Sequence, residues 1–247
     1  MAEVVDDVTH DTLMQGRIHL IQPAQGFRSS LDPVLLAGFI AGPVGRFVDV
    51  GCGTGAVSFL LADKDPEAEG VAVEIQPRLA ALAQAGCDRN AFGARLHVLN
   101  ADVRRAVGAP PLNRATFDLL ATNPPFRPVA AGVTSPDPER AQANHEVTLA
   151  LDEWLDCAAR LLKPGGRLAA IFPAERLVAL LAGLAARPFA LCRLRFVHPH
   201  VDRPASRVLI EARHQGRQTP MIEPPLILHE SDGTFRGEIR RWMGEGT

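Results

Sequence analysis

A short apolar strand that runs directly into a glycine-rich turn constrains this chain of 247 residues more than any other feature. Phe47-Val48-Asp49-Val50 has the pattern of a buried strand, Gly51-Cys52-Gly53-Thr54-Gly55 follows without a gap, and a helical pattern continues from Ala56 to Ala62. Glycines at the carboxyl end of a strand let the backbone approach a ligand closely. The turn is not the dinucleotide-binding fingerprint, because its third glycine comes one residue too early. A coincidental glycine turn is the alternative interpretation.

Strand and helix patterns alternate beyond this turn, which predicts a parallel sheet with helices on both faces. The predicted strands are 71–74, 95–99, 117–122, 167–172, 191–197 and 206–212. The predicted helices are 34–40, 77–91, 148–162 and 177–186. A tail from residue 218 is predicted to add a short strand at 226–229 and a short helix at 235–243. Asp32 and Pro33 fit the N-cap and the first position of the first helix, whereas residues 1–25 indicate little.

A rigid polar group is predicted at the end of the strand 117–122, where Asn123-Pro124-Pro125-Phe126 follows. Proline fixes its own φ and pushes the preceding residue into an extended conformation, so the Asn123 carboxamide should point outward. Acceptor oxygens beside an aromatic face suit the edge of a planar amino-bearing group such as a nucleobase. A stiff turn without a binding role is the alternative, since Asn-Pro also marks ordinary turns.

Composition indicates a soluble globular protein, with 26 Lys and Arg residues against 28 acidic ones. The acidic N-terminus lacks the basic and apolar regions of a signal peptide, and no apolar run approaches the roughly 18 residues of a membrane helix. We therefore expect a cytoplasmic protein. The four cysteines form no C-x-x-C pair and have no nearby histidine at ligand spacing, so we expect buried fillers and neither a metal site nor a disulfide framework.

Charge is unevenly distributed along the chain. Residues 1–16 carry four acidic side chains, whereas residues 187–217 carry seven arginines against Asp202 and Glu211. This basic run indicates either an RNA-facing patch or the solvated face of strands. Residues 127–146 lack periodicity and start at the Asn123 turn, which favours a lid or substrate-binding loop over a disordered insertion.

Five motifs in order resemble those of class I S-adenosylmethionine-dependent methyltransferases of the amino-methylating, small-domain group. They are Asp49 to Gly55, Val73-Glu74, Asn100-Ala101-Asp102, Asn123 to Phe126, and Leu162-Lys163-Pro164-Gly165-Gly166. The resemblance implies an α/β Rossmann-like fold with a mostly parallel seven-stranded sheet and helices on both faces. Residues 45–217 would form the methyltransferase domain, after an N-terminal extension and leading helix (1–44) and before a C-terminal tail packed on the domain (218–247).

Weaker motifs resemble the bacterial tRNA adenine-N6 methyltransferases that modify an adenine next to the anticodon of a valine tRNA. These motifs are Gln22-Pro23 to Asp32, the neighbourhood of Glu211, and Pro225 to His229. Phe126 departs from that group, which more often carries Tyr there. Phe keeps the stacking surface but lacks the hydroxyl.

The resemblance also implies a site. Gly51, Gly53 and Gly55 would cradle the methionine end of S-adenosylmethionine, Asp49 would take its amino group, and Glu74 would accept its ribose hydroxyls. Asp102 would accept from the adenine amino group and Val103 would lie under the ring. The resemblance further implies cofactor contacts from Cys52, Ile75 and Asn123. The catalytic residues would be Asn123, Pro124, Pro125 and Phe126. An RNA substrate, most simply a tRNA, would be bound by Arg28, Arg127, Arg203 and Arg207.

Other functions share parts of this pattern. Asn-Pro-Pro-Phe also occurs in ribosomal RNA guanine-N2 methyltransferases, and protein glutamine-N5 methyltransferases share the catalytic tetrapeptide. A nucleotide-dependent oxidoreductase would share the first strand, the glycine turn and Glu74 but would leave Asn-Pro-Pro-Phe unexplained. A non-catalytic RNA-binding module that keeps the cofactor fold is a further alternative, and the arginines of 187–217 favour RNA over protein as the substrate.

Overall fold

Strands and helices alternate along most of the chain. The computed structural model describes residues 7–26, 28–123 and 150–245. The strands are β1 (Val8–Leu13), β2 (Ile18–Pro23), β3 (Arg46–Val50), β4 (Glu69–Glu74), β5 (Leu96–Asn100), β6 (Phe117–Thr122), β7 (Leu162–Pro173), β8 (Phe189–His198), β9 (Arg207–His214), β10 (Met221–Ile222) and β11 (Leu226–Ile227). The described helices are α1 (Asp32–Phe39), α2 (Ala56–Lys64), α3 (Pro77–Arg89), α4 (Val103–Ala106), α5 (Leu151–Leu161), α6 (Leu177–Ala185) and α7 (Gly237–Trp242).

The main sheet has the strand order β10-β8-β9-β7-β6-β3-β4-β5, and β11 also pairs with β8. β3 lies between β4 and β6 and is parallel to both. β9 is antiparallel to its neighbours β7 and β8, and the other pairs in the sheet are parallel. The predicted class, a mostly parallel sheet between helices, is confirmed.

Alternating side chains of the central strands build two separate cores, one on each face of the sheet. Phe47 points into the core that contains α1, α2 and part of α3, whereas Val48 points into the core that contains α5 and α6. Trp154 of α5 is fully buried in the second core. Asp49 follows the alternation and lies on the same face as Phe47, against α2.

The N-terminal hairpin of β1 and β2 forms a separate two-stranded sheet that packs on α3. Ile18 and Leu20 from β2 are buried in the first core. Asn90, which caps the end of α3, donates to the His19 carbonyl at 2.7 Å and accepts from the His19 amide at 2.8 Å. These two hydrogen bonds satisfy the backbone amide and carbonyl of His19 at the strand edge, and they join β2 to the end of α3. The sequence of residues 1–25 predicted little structure, yet most of the described residues in this range belong to the hairpin.

The prediction of seven strands is wrong in number. Seven long strands are present in the main sheet, and the tail adds β10 and β11, two residues each, along the outer side of β8. The predicted N-cap at Asp32 is also wrong: Leu31 occupies that position without a side-chain cap, and Asp32 is the first helical residue. The Asp32 carboxylate instead pairs with Arg207 at 3.1 Å. Each long strand predicted from the pattern is found within a few residues of its predicted bounds, and none of the described helices is long and apolar enough to cross a membrane.

The tail helix α7 should depend on the absence of a side chain at Gly38. A Cβ atom there would overlap the indole ring of Trp242, which packs against α1. We expect Gly38→Ala to lower the unfolding free energy by about 1–3 kcal/mol through overpacking, measured by urea titration. In a Trp242→Ala background the same substitution should raise it by about 0.5–1 kcal/mol, since alanine is the better helix former. Equal effects in the two backgrounds would contradict this packing.

Candidate cofactor and substrate site

The carboxyl ends of four parallel strands meet at one edge of the sheet. β3 and β4 pair with Val50 opposite Val73, and β4 and β5 pair with Glu74 opposite Asn100. β6 pairs with β3 through Asp49 opposite Ala121, so Asn123 follows its strand beside the glycine turn. Ligands of open α/β sheets bind outside this edge. The register therefore brings the predicted residues Gly51, Glu74 and Asn123 to one place.

The glycine turn is fixed by hydrogen bonds to β4. The amides of Gly51 and Cys52 both donate to the Val73 carbonyl, at 2.8 and 3.0 Å. Gly51, Gly53 and Gly55 have φ values of 74°, 56° and 91°, which residues with a Cβ rarely adopt. At Gly55 a Cβ atom would also lie 2.6 Å from the ring of Phe59. The turn is thus a rigid backbone surface whose path requires glycine.

Glu74, at the end of β4, is buried, and its carboxylate holds the glycine turn in place. Its Oε2 accepts from the Gly53 amide and its Oε1 from the Gln76 amide, both at 2.9 Å. Burial raises the pKa of Glu74, against the lowering effect of hydrogen bonds from the amides of Gln76, Gly53 and Ile75. Each carboxylate oxygen can accept a further hydrogen bond. Glu74 can therefore hold the loop and accept from ligand hydroxyls together.

Asp49 lies beneath the turn with no exposed surface. Ser58 of α2 donates to its Oδ2 at 2.6 Å, while Oδ1 is buried without a hydrogen-bond partner. Burial raises the pKa of Asp49 to about 7, the Ser58 hydrogen bonds oppose this, and the nearby Glu74 charge raises it further. A cationic group beside Oδ1 would favour the ionised form. Buried acceptors are rarely left without a partner, so Oδ1 is available to accept a hydrogen bond from the ammonium group of a ligand.

A cleft of about 210 Å³ separates the glycine turn from residues 28–33. Asn123 lies on its wall together with residues of the turn and the start of α2. Two hydroxyl oxygens at the cleft, Ser29 Oγ and Thr54 Oγ1, are buried and have no hydrogen-bond partner. Buried polar atoms are rarely left unpaired, so both hydroxyls are available to pair with a polar group of a ligand or with ordered water.

The second wall of the cleft is held by side chains of the N-terminal hairpin. Gln22 is 3% exposed, donates to Asp11 at 2.8 Å and accepts from the Ser29 amide at 2.7 Å. Arg28 donates to the same Asp11 oxygen at 2.9 Å and to Thr9 at 2.7 Å. Sequence analysis missed Asp11, and it missed the positioning role of Gln22. The apolar residues Ile18, Leu20 and Ile21 were the available signal for the strand that carries Gln22.

The other predicted cofactor contacts lie along the edge toward β5. Asp102 caps α4, accepts from the Arg104 amide at 3.0 Å and accepts three hydrogen bonds from the Arg104 guanidinium. The Arg104 hydrogen bonds keep the pKa of Asp102 below its usual value, against burial. Val103 is buried in the second core, and Ile75 is partly exposed beside Glu74. Asn100 donates to the carbonyls of Glu74 and Ile75, which fixes the chain there.

The arginines of 187–217 do not form one basic face. Arg187 pairs with Asp152 and Asp156, Arg193 with Glu211 and Glu223, and Arg195 with Glu238. Arg193 also lies over the ring of Phe39, 4.2 Å from its centroid. Arg203 is exposed on the turn between β8 and β9, and Arg207 lies at the cleft through its pair with Asp32.

Some of the predicted site lies outside the described residues, namely Pro124, Pro125, Phe126, Arg127 and the loop 127–146. All four cysteines are buried, as expected of fillers. In the described part of the chain, no cluster of three or more His, Cys, Asp or Glu side chains could hold a metal ion.

Residues 32–177 match the model of the family described as methyltransferase small domain. The chain is 30% identical over 233 residues to a tRNA1(Val) (adenine(37)-N6)-methyltransferase of Porphyromonas gingivalis, which covers 91% of this chain and 90% of that protein. A protein of that name from Dickeya chrysanthemi is 31% identical over 201 residues, which cover 79% of this chain and 77% of that one.

Solved structures are similar over most of the chain as well. An Agrobacterium tumefaciens protein described as a predicted O-methyltransferase aligns with a TM-score of 0.71 and 25% identity, covering 87% of this chain and 97% of that one. A Thermus thermophilus 16S rRNA guanine-N2 methyltransferase, solved with AdoMet and guanosine, aligns with a TM-score of 0.54 and 19% identity, covering 84% of this chain and 50% of that one. The second likeness shows a shared fold only.

The buried Asp49 should make stability depend on pH. Its pKa is near 3.8 in the unfolded chain and about 7 in the folded protein, so the folded state keeps its proton over this interval. Its contribution is therefore fully present below pH 4 and is lost as pH rises toward 7, at up to about 1.4 kcal/mol per pH unit. Urea titrations of Asp49→Asn and the parent, each from pH 4 to 8, should show the parent losing stability relative to the variant across this window. A constant difference would contradict the raised pKa.

Proposed function

This chain belongs to the methyltransferase small domain family, and we propose that it methylates the exocyclic N6 of an adenine next to the anticodon of a tRNA. Membership makes it an S-adenosylmethionine-dependent methyltransferase. The observation that carries the proposal is the position of Asn123, which lies on the wall of the cleft beside the glycine turn. An amide oxygen there can accept from an amino group presented to the cofactor site.

The residues at the turn fit S-adenosylmethionine. The cofactor supplies a methyl group on a positively charged sulfur, which is already a strong electrophile. Asp49 Oδ1, buried without a partner, would take the amino group of the methionine moiety. Gly51, Gly53 and Gly55 allow close approach of the backbone, with Cys52 contributing only main-chain atoms. Glu74 would accept the ribose hydroxyls while it holds the Gly53 amide.

The adenine end of the cofactor would lie toward β5. Its amino group would donate to Asp102, whose carboxylate stays ionised because the Arg104 hydrogen bonds lower its pKa. Val103 and Ile75 would supply apolar contact to the ring. Arg104 also pairs with Glu153 of α5, so the position of Asp102 is tied to the second core.

Asn123 would position and polarise the target nitrogen. The lone pair of an adenine N6 is delocalised into the ring, so the nitrogen must become pyramidal before it can attack. If Asn123 Oδ1 and the Pro124 carbonyl accept its two N–H bonds, they favour that geometry and stabilise the positive charge that develops. No separate general base is required. Phe126, with Pro125 fixing its backbone, would stack on the target base after that base has turned out of the RNA loop.

The nature of the substrate is supported by the relatives. The two relatives compared above share about 30% of their residues with most of this chain and are named for adenine 37 of tRNA1(Val). The ribosomal RNA guanine-N2 enzyme shares only the fold at 19% identity. Arg28 and Arg207 lie at the cleft and are proposed RNA contacts, although each already has a carboxylate partner in Asp11 or Asp32. Arg127 and Arg203 complete the proposed set.

The direct test uses labelled S-adenosylmethionine with unmodified tRNA, ribosomal RNA and protein as separate acceptors. Nucleoside mass spectrometry of the labelled product should give N6-methyladenosine from tRNA. N2-methylguanosine from ribosomal RNA, methylglutamine in protein, or an O-methyl product would each contradict the proposal.

Glu74→Ala should weaken S-adenosylmethionine binding by at least tenfold in calorimetry. The variant loses the acceptor for two hydroxyls, worth roughly 1.5–3 kcal/mol for each charged hydrogen bond, and frees the Gly53 amide. Glu69→Ala, at the exposed start of the same strand, is the matched control and should bind as the parent does. Unchanged affinity in Glu74→Ala would remove Glu74 from the cofactor site.

Asn123→Ala should reduce the single-turnover methylation rate by about 100- to 1,000-fold, since one preorganised electrostatic partner is removed. Cofactor affinity and melting temperature should change little because the interaction matters mainly in the transition state. Asn113 precedes β6, the strand that Asn123 follows, so Asn113→Ala controls for the loss of a carboxamide outside the cleft. A near-parental rate for Asn123→Ala would show that the amino-transfer site is wrong.

A further inference from the structure

Three rings form a row beside the turn between β8 and β9. The ring centroids of His200 and His229 are 5.3 Å apart, and those of His229 and Phe235 are 4.7 Å apart with planes inclined by 25°. All three side chains are half-buried. His200 is at the end of the row, since among the described residues its ring contact is with His229. Its side chain is partly exposed, so it offers surface on which a further planar group can stack.

The row lies at the same edge of the sheet as the cleft. β9 is antiparallel to both β7 and β8, and β7 is parallel to β6, so the end of β8 points the same way as the end of β6. The two ends are three strand spacings apart, about 14 Å. Arg207, the first residue of β9, pairs with Asp32 on the cleft wall. A substrate that reaches Asn123 can therefore extend across to the rings.

Arg203 gives this surface an exposed cation that no described carboxylate pairs with. It is exposed on the turn and forms no ion pair within the described residues. The neighbouring Arg193 and Arg195, by contrast, are paired with glutamates. Among the described acids nearby, Glu230 pairs with Arg236, Asp232 accepts from Thr234, and Asp202 is exposed on the turn itself.

The main chain holds the rings in place. The amides of Leu228 and His229 donate to the carbonyls of His198 and Pro199, at 2.9 and 3.1 Å. Across the turn the Arg203 amide donates to the His200 carbonyl at 3.2 Å, and the Arg203 carbonyl contacts His198 Nδ1 at 2.7 Å. A surface fixed in this way loses little conformational entropy when it binds.

We propose that His200, His229, Phe235 and Arg203 form a docking surface for the RNA substrate, adjacent to but separate from the target nucleotide. This inference rests on the proposed function. An unpaired base stacks on the free face of His200, and Arg203 contacts a phosphate. Flat rings beside an exposed cation match single-stranded RNA, which offers base faces and phosphates together. Val201, whose side chain is 76% exposed on the same turn, adds apolar contact.

The test compares His200→Ala and Arg203→Ala by their affinity for an unmodified valine tRNA transcript and by their KM and kcat. His200→Ala should weaken binding and raise KM about tenfold without changing the salt dependence of binding, and His200→Phe should restore affinity because it keeps a flat ring. Arg203→Ala should weaken binding and reduce the slope of log K against log salt by about 1, whereas Arg203→Lys should keep the slope. Arg89→Ala, an exposed arginine at the opposite edge of the sheet, is the control for charge alone.

The outcomes separate this inference from the proposed function. In all variants kcat at saturating tRNA and S-adenosylmethionine affinity should equal those of the parent. If the parent methylates tRNA and both alanine variants bind it unchanged, the docking surface is wrong and the function stands. If the parent methylates a protein instead, and His200→Ala raises the KM for that protein, the surface docks protein and both proposals fail. A parent that methylates neither acceptor also overturns both.

Discussion

The parallel pairing of β3 with β4 and β6 is the constraint on which the site depends. It places the glycine turn between two neighbouring strand ends, so that Glu74 arrives from one side and Asn123 from the other. The hydrogen bond from the Gly53 amide to Glu74 then ties the turn to β4. No residue in this group could be moved by one position in sequence without turning its side chain to the other face of the sheet or shifting it along the edge. The register of the strands therefore determines which side chains meet at the cleft.

The hairpin adds a second constraint from outside the segment that matches the family. Gln22 and Asp11 fix residues 28 and 29 by hydrogen bonds of 2.7–2.9 Å, and the hairpin is itself anchored to α3 by Asn90. One wall of the cleft is thus built by the shared domain and the other by an N-terminal element. Substrate preference among related enzymes can change through such an element while the cofactor wall stays the same.

Most of the fold could be predicted from sequence because the signals are local. Continuous apolar runs, glycine turns and a helix stop are each read over a few residues, and the cofactor motif joins them in order. The hairpin was missed because neither strand alternates cleanly: β1 has four consecutive polar residues, and β2 has the adjacent apolar residues Leu20 and Ile21. Of the two short tail strands, β11 lies within the strand predicted at 226–229, whereas β10 was missed because a two-residue strand carries no periodicity. The pairing of Arg187, Arg193 and Arg195 with carboxylates far away in sequence could not be predicted, because it depends on which side chains the fold brings together.

Asp49 illustrates a cost that the free protein carries. A fully buried carboxyl group with one oxygen unsatisfied makes the unliganded fold less stable than a well-packed apolar group there would. A ligand that brings a cation to Oδ1 would offset that cost as part of its binding free energy, which stabilises the folded state. The amount of folded enzyme in a cell would then follow the supply of its methyl donor, because the unfolded fraction is what proteases remove. A single buried oxygen would in this way couple the lifetime of the protein to the metabolic state that its reaction requires.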